Sequence, residues 1–247
     1  MILKGGIMEV IKIKKLTKKY KDITAVDGLN LTINEGELFS LLGENGSGKT
    51  TTIKMLSCIV KPTSGDALID NNSIIDNEIN VKKIIGVSLQ ESAVALNLTV
   101  KENLDLICQI HKFSKQKSKE KIDLLSKQFN LEEILNKKAK FLSGGYQRRV
   151  SIAMALISEP KILFLDEPTL GLDVIARRKL WDIIKELKGK MTIILTTHYM
   201  EEAENLSDRI GILKKGKLLV VGTSKQLMDK TLTVNFENAF ISLIKEG

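Results

Sequence analysis

The chain is short of the residues that mark several whole classes of protein. Aromatics make up 4% of its 247 residues. That argues against a surface that binds single-stranded nucleic acid by stacking bases on Tyr, Phe and Trp. There are two cysteines, Cys58 and Cys108. They lack the spacing of a metal site and point to a reducing, cytoplasmic location, with Cys58 expected as a small core residue on the helix it falls in. No apolar run approaches the roughly 18–20 residues needed to cross a bilayer, and no N-terminal segment reads as a secretion signal. Three prolines stand against 17 glycines, with no internal repeat or low-complexity stretch. This length, with a hydrophobic fraction of 43%, suits a soluble globular protein of one large or two small domains.

Positive charge is in excess, with 38 Lys and Arg against 30 Asp and Glu and a net charge of +8. Lysines gather at 12–21, 112–121, 137–140 and 214–217. A basic face suits an anionic membrane surface or nucleic acid. These clusters are dispersed along the chain, however, and read as solvated faces rather than as one patch. No nucleic-acid partner is expected.

The chain is organised around Gly43-Glu44-Asn45-Gly46-Ser47-Gly48-Lys49-Thr50. The apolar run Leu38-Phe39-Ser40-Leu41-Leu42 leads into it, and a helical pattern opening at Thr51 follows. Strand, glycine-rich turn and helix with the spacing G-x-x-x-x-G-K-[ST] make a phosphate-binding loop. Glycines let the backbone wrap a triphosphate and turn its N–H groups inward. The helix start adds its dipole and its N–H groups. Lys49 supplies a point charge for the β- and γ-phosphates, and the Thr50 hydroxyl is placed to ligate Mg²⁺.

Elsewhere the periodicities alternate between strand and helix. Met8–Leu16 and Val26–Ile33 alternate apolar and polar residues and predict antiparallel strands, with Tyr20 in a lysine-rich connection between them. A short strand is expected at 67–70, and a buried strand from Lys83 to Leu89 that ends at Gln90. Helical patterns then dominate at 100–111, 118–129 and 144–157, the texture of a helical insert over 91–158 carried by an α/β core. The core resumes with a buried strand at 162–165, a helix over 173–188, a strand at 192–195 and a short helix at 199–206. A hairpin folds around Lys215-Gly216, and an amphipathic helical tail covers 223–247.

Three further sites carry chemistry. Asp166 and Glu167 close the strand Ile162-Leu163-Phe164-Leu165, giving a carboxylate for Mg²⁺ and a second one to polarise a water that attacks the γ-phosphate. His198 follows Thr196-Thr197 at the carboxyl end of a strand, where α/β proteins place ligands, whereas His111 has no such context. Leu142-Ser143-Gly144-Gly145-Tyr146-Gln147-Arg148-Arg149 opens a helix with Ser-Gly-Gly, a second anion-binding terminus. One set of phosphates does not occupy two such termini of one subunit. Two copies arranged so that each phosphate loop faces the other's Ser143 resolve this, with ATP in the seam of an isologous dimer.

Taken together, these motifs resemble the nucleotide-binding subunit of an ABC transporter, over nearly the whole chain from Met8. The resemblance implies a P-loop ATPase core, α/β, with a mixed sheet, an antiparallel N-terminal subdomain and an inserted α-helical subdomain. It implies ATP and Mg²⁺ as ligands. Leu142-Ser143-Gly144-Gly145 resembles the family signature, Gln90 the Q-loop, Leu172-Asp173 the D-loop and His198 the switch histidine. Tyr20 falls where the family stacks an aromatic on adenine. The implied nucleotide-binding set is Tyr20, residues 43–51 through Thr51, Ser143, Gly144, Gly145 and Asp173. Metal falls to Thr50, Gln90 and Asp166, and catalysis to Glu167, His198 and Gln90. Thr196-Thr197-His198-Tyr199-Met200-Glu201-Glu202, Arg177-Arg178-Lys179-Leu180-Trp181 and the tail Phe236-Glu237-Asn238-Ala239-Phe240-Ile241 are similar to the multidrug and antibiotic exporter group. Tyr146 after the signature glycines, and Ser88-Leu89 before Gln90, depart from the commoner residues without touching a phosphate ligand. The implied partners are a second copy of the chain, or a homologous ATPase subunit, and an integral-membrane permease, which place the chain in the cytoplasm at the inner face of the cell membrane. An importer subunit and a soluble ATPase acting on ribosomes or DNA are the alternatives.

Residues 1–7 add nothing to the strand pattern that begins at Met8. Lys4-Gly5-Gly6 would be encoded by purine-rich codons just upstream of Met8, and the expectation is that this stretch is a translated ribosome-binding site with Met8 the true start. The intact mass of the native protein is expected to match a chain beginning at Met8, and a mass beginning at Met1 would rule this out.

Overall fold

The computed structural model describes residues 8–246, and the expectation about residues 1–7 lies outside them. The chain begins with β1 (Glu9–Tyr20), β2 (Ile23–Asn34), β3 (Leu38–Leu42), α1 (Lys49–Leu56), β4 (Ser64–Ile69) and β5 (Asn72–Ser73). It continues with α2 (Glu78–Ile84), β6 (Ile85–Ser88), α3 (Val100–Ile110), α4 (Lys115–Gln128), α5 (Gly144–Leu156), β7 (Ile162–Asp166) and α6 (Val174–Leu187). It closes with β8 (Thr192–Thr197), α7 (Met200–Leu206), β9 (Arg209–Lys214), β10 (Lys217–Gly222), α8 (Ser224–Thr231) and α9 (Phe236–Glu246). Residues 8–82 and 188–246 form one compact unit and residues 83–187 another.

In the first unit an antiparallel sheet runs β2-β1-β4-β5. Ile11, Ile13 and Leu16 on β1 and Leu29, Leu31 and Ile33 on β2 are buried, as in a sheet with one face in a core. The pairing extends beyond the alternation. Tyr20 is the last residue of β1 and pairs with Ile23 across a two-residue turn, where Lys21 takes φ 48°. The connection expected around Tyr20 is therefore a tight hairpin. Register shifts after Ile13 break the period of two there, so a strict alternation stops short of the strand's end.

In the same unit β3 lies between β8 and β9 and is parallel to both, and β10 pairs antiparallel with β9. Every residue of β3 and β8 is buried, as parallel strands covered on both faces require. The tail is two helices, separated where Leu232 turns left-handed at φ 54°. Its residues Leu227, Phe236 and Leu243 share an apolar cluster with Leu42, Ala203 and Ile212, and the Lys214 ammonium donates to the Ile244 carbonyl at 2.6 Å. Cys58 lies just beyond α1 rather than on it. The Cys58 N–H bonds the Met55 carbonyl at 3.0 Å and the Ile59 N–H that of Lys54 at 2.9 Å. This is a Schellman turn with Cys58, φ 56°, in the position glycine usually fills. Burial pushes its thiol up to about 11, so it is a poor nucleophile at neutral pH.

In the second unit β6 and β7 pair in parallel, from Ile85 with Ile162 to Ser88 with Leu165. A capping box of Thr99 and Glu102 starts α3, and the Ser114 hydroxyl accepts from the Lys117 N–H to start α4. Lys83 and Ile84, expected in a strand, form the last turn of α2. The Glu78–Lys82 pair at 3.5 Å and buried Val81 hold that helix, and the strand begins only at Ile85. An unbroken apolar run carries no period to separate the two.

Candidate functional site

The phosphate-binding loop is built by exclusion of side-chain bulk. Gly48 caps α1 at φ 106°, and a Cβ there would run into the Ala25 carbonyl. A Cβ on Gly43 would run into the Leu213 carbonyl and the Ser47 hydroxyl. The hairpin of β9 and β10 braces the loop, because the Gly216 N–H donates to the Ser47 carbonyl at 3.0 Å and its carbonyl accepts from the Asp27 N–H at 2.9 Å. Glu44, Asn45 and Gly46 face solvent, and Thr50 and Thr51 are half-buried in the first turn of α1. That turn carries no acidic residue and no side-chain cap, so its dipole is left for an anion.

Lys49 is 5% exposed. Its ammonium lies inside the loop and donates to the carbonyls of Gly43 at 2.7 Å and Glu44 at 3.1 Å. The Ser47 hydroxyl is buried with no hydrogen-bond partner, an uncompensated donor in the same loop. Backbone too crowded for a Cβ, a buried unsatisfied hydroxyl and a buried ammonium fit a phosphate group. A cleft of about 250 Å³ opens between Gly43, Glu44, Asn45, His198 and Phe240. The structure places His198 and Phe240 of α9 on this cleft beside the loop. The His198 and Tyr199 rings lie 4.1 Å apart. Tyr20 ends β1, 44% exposed, with the Lys18 ammonium 5.0 Å from its ring centroid.

The second unit holds the carboxylates. Asp166 is fully buried at the end of β7, and Glu167 is 6% exposed. Thr50 and Asp166 are hard oxygen donors, the chemistry Mg²⁺ takes. Among the described residues no group of three or more His, Cys, Asp and Glu is placed to hold a metal ion. Glu167 is left-handed at φ 49°, a conformation that costs a non-glycine residue roughly 1–2 kcal/mol. Its carbonyl accepts from the Leu170 N–H at 3.2 Å and from Arg148 Nη2 at 2.7 Å. Arg148 also reaches the Asp166 carbonyl at 3.4 Å and the Leu89 carbonyl at 2.6 Å. Gln90, the next residue, is exposed. Arg148 had no role assigned from the sequence, and neither did Phe240. Their partners are scattered along the chain, and no local spacing signals them.

Ser143 is the N-cap of α5, exposed, with its hydroxyl making no capping bond. Gly144 is exposed too, whereas Gly145 is buried. A Cβ on Gly145 would lie 2.9 Å from the Ala176 Cβ, so this glycine also serves the packing of α5 against α6. Asp173 accepts from the Ile175 and Ala176 N–H groups, both at 2.9 Å, and so caps α6. Tyr146 stacks on Arg149, 4.3 Å from guanidinium carbon to ring centroid.

The sequence model of the ABC transporter family matches residues 26–170. The chain belongs to the ABC transporter family. Within it the chain is a cassette of the ATP-binding, ATP-hydrolysing type. A shorter match, to an AAA domain described as a putative AbiEii toxin of a type IV TA system, covers residues 142–202. Similar proteins include human phospholipid-transporting ATPase ABCA3, 44% identical over 224 residues, 89% of this chain and 13% of that one. The probable multidrug ABC transporter ATP-binding protein YbhF of Escherichia coli K12 is 38% identical over 96% of this chain and 42% of its own. The daunorubicin resistance ATP-binding protein DrrA3 of Streptomyces coeruleorubidus is 36% identical over 87% of this chain and 68% of its own. The chain thus spans about an eighth of the ABCA3 length and under half of YbhF. Among solved structures, an ATP-binding subunit of an ABC transporter superposes with TM-score 0.84 at 26% identity over 95% of this chain and 99% of its own. The dimeric cassette MJ0796, in a post-hydrolysis state with ADP and Pi, gives 0.78 at 34% identity over 86% and 98%.

The loop geometry separates two glycines. Gly48→Ala is expected to weaken ATP binding at least tenfold, because a Cβ meets backbone that nothing can move aside. Gly46→Ala, at φ 79° with nothing within 4 Å of its Cβ, is expected to weaken it about fivefold or less, from left-handed strain alone. Titration with a fluorescent ATP analogue measures both, and equal losses would sink the argument.

Proposed function

We propose that the chain is the ATP-hydrolysing subunit of an exporter-type ABC transporter, working as a dimer on a separate membrane permease. One observation carries the hydrolytic reading: chemistry-bearing residues stand at the carboxyl ends of buried parallel strands, Lys49 and Thr50 beyond β3, His198 after β8, and Asp166 and Glu167 at the end of β7. Ligands bind at such ends in open α/β sheets. The export reading rests on relatives whose names tie them to phospholipid transport, multidrug transport and daunorubicin resistance. No helix among the described residues is long and apolar enough to cross a membrane. The proposal assigns the path for cargo to a permease and this chain to the membrane's inner face. Residues 91–158 are read as an inserted helical subdomain and 223–247 as a helical tail of the 8–247 cassette.

In this reading the Lys49 ammonium exchanges its loop carbonyls for β- and γ-phosphate oxygens. Tyr20 stacks on the adenine. Thr50 and Asp166, with Gln90, would hold Mg²⁺, which would neutralise charge on the phosphate oxygens. Glu167 takes a proton from the attacking water as its oxygen bonds to the γ-phosphorus. The bond from that phosphorus to the bridging oxygen breaks and leaves ADP. His198 steadies the γ-phosphate. Ser143 and the N–H groups of Gly144 and Gly145 do so from the opposite copy, with Asp173 beside that seam. ATP binding closes the dimer and hydrolysis reopens it, and that cycle switches the permease between access states.

Glu167→Gln is expected to lower the hydrolysis rate by about 10²–10⁴ and to trap an ATP-bound dimer, seen by size-exclusion chromatography with and without Mg-ATP. Rapid turnover by this variant would exclude Glu167 as the base. The transport reading is tested by affinity purification of the full chain from mild-detergent membrane extracts, followed by mass spectrometry. A stoichiometric polytopic membrane protein is expected. Ribosomal or DNA-repair proteins without a membrane partner would overturn transport and leave the ATP site standing, and a solute-binding protein in the complex would overturn export in favour of import.

A further inference from the structure

The signature helix reaches the backbone that carries Asp166 and Glu167 through a buried arginine. Arg148 lies one turn into α5, is 7% exposed, and donates to the carbonyls of Leu89, Glu167 and Asp166 at 2.6, 2.7 and 3.4 Å. One turn further along α5, the Ser151 hydroxyl meets that of Ser88 at 2.9 Å. The same face of α5 thus grips residues 88 and 89, immediately before Gln90, and the backbone on which Asp166 and Glu167 sit.

A planar guanidinium holds several acceptors in one fixed fork, which an ammonium does not. Such charge-assisted bonds are roughly twice as strong as neutral ones. The strained φ of Glu167 needs an over-determined surrounding to persist. Arg148 donates to that residue's carbonyl at 2.7 Å, against 3.2 Å from the Leu170 N–H. The neighbouring Arg149 makes a useful contrast: it is equally buried, but donates to the Phe129 carbonyl at 3.3 Å and stacks under Tyr146, away from the carboxylates.

We propose that Arg148 is a positioning residue for hydrolysis, holding the left-handed Glu167 backbone and the residue before Gln90 in one register with the signature helix. The inference rests on the proposed ATPase function. It predicts a loss in kcat rather than in ATP affinity, because no atom of Arg148 need touch nucleotide.

The test is steady-state Mg-ATP hydrolysis by the full chain, with single-turnover measurement of the slow variants. Arg148→Lys and Arg148→Gln are both made, so that either one that folds, judged by its thermal midpoint, decides the matter. The expected result is a kcat about tenfold lower with KM for ATP within about twofold. Arg149→Lys is expected to lower the thermal midpoint without changing kcat more than about twofold. Adding Arg148→Lys to Glu167→Gln is expected to change the residual single-turnover rate by less than about twofold, because the two residues act through one group. A folded Arg148 variant with unchanged kcat, or a full additional tenfold loss in the double variant, overturns the inference. An inactive unmodified chain overturns the ATPase reading itself, which keeps the two failures distinct.

Discussion

Closeness of backbone to backbone is the constraint on which the first unit depends. The phosphate loop works only if main-chain N–H groups converge on one point, and they converge because Gly43 and Gly48 let the loop lie against the carbonyls of Leu213 and Ala25. Those carbonyls must then be held still. Parallel pairing of β3 with β8 and β9, and the Gly216 bonds to Ser47 and Asp27, do that. The buried Lys49 charge follows from the same geometry, since loop carbonyls are the acceptors that make its burial tolerable.

The second unit solves a different problem, that of keeping a carboxylate at the end of a fully buried strand in a backbone conformation it does not favour. Its solution is polar and long-range in sequence. A guanidinium from α5 takes three carbonyls that β6 and β7 present at their ends. Glycine serves packing here as well, at Gly145 against Ala176 and at Gly86, where a Cβ would collide with the Ala155 carbonyl.

Contiguous motifs were legible in the sequence. The strand, loop and helix around Gly43–Thr50, the buried run ending at Asp166 and the strand before His198 each carry their signal in neighbouring residues, and the structure has these elements at those places. Features that depend on distant partners were not legible. Arg148 lies in plain view within the signature segment, yet its acceptors are 59, 18 and 19 residues away. Phe240 reaches the cleft only because α9 packs on the cluster that includes Leu42. The misread start of β6 has a local cause: Ile84-Ile85 is apolar without a period, and the helix ending there is held by an ion pair and one buried valine. Tyr20 was misplaced because a bulged strand loses its alternation before it loses its partner.

Bracing by the β9–β10 turn also bears on how the chain is made. The phosphate loop is spelled out by residue 50, but the Gly216 N–H that holds Ser47 and the Leu213 carbonyl that Gly43 rests on lie more than 160 residues later. During vectorial synthesis the motif is therefore exposed long before its walls exist. A nascent chain stalled at residue 200 carries the whole fingerprint and none of the bracing hairpin. The walls of the loop are complete only once the last fifth of the chain has been made.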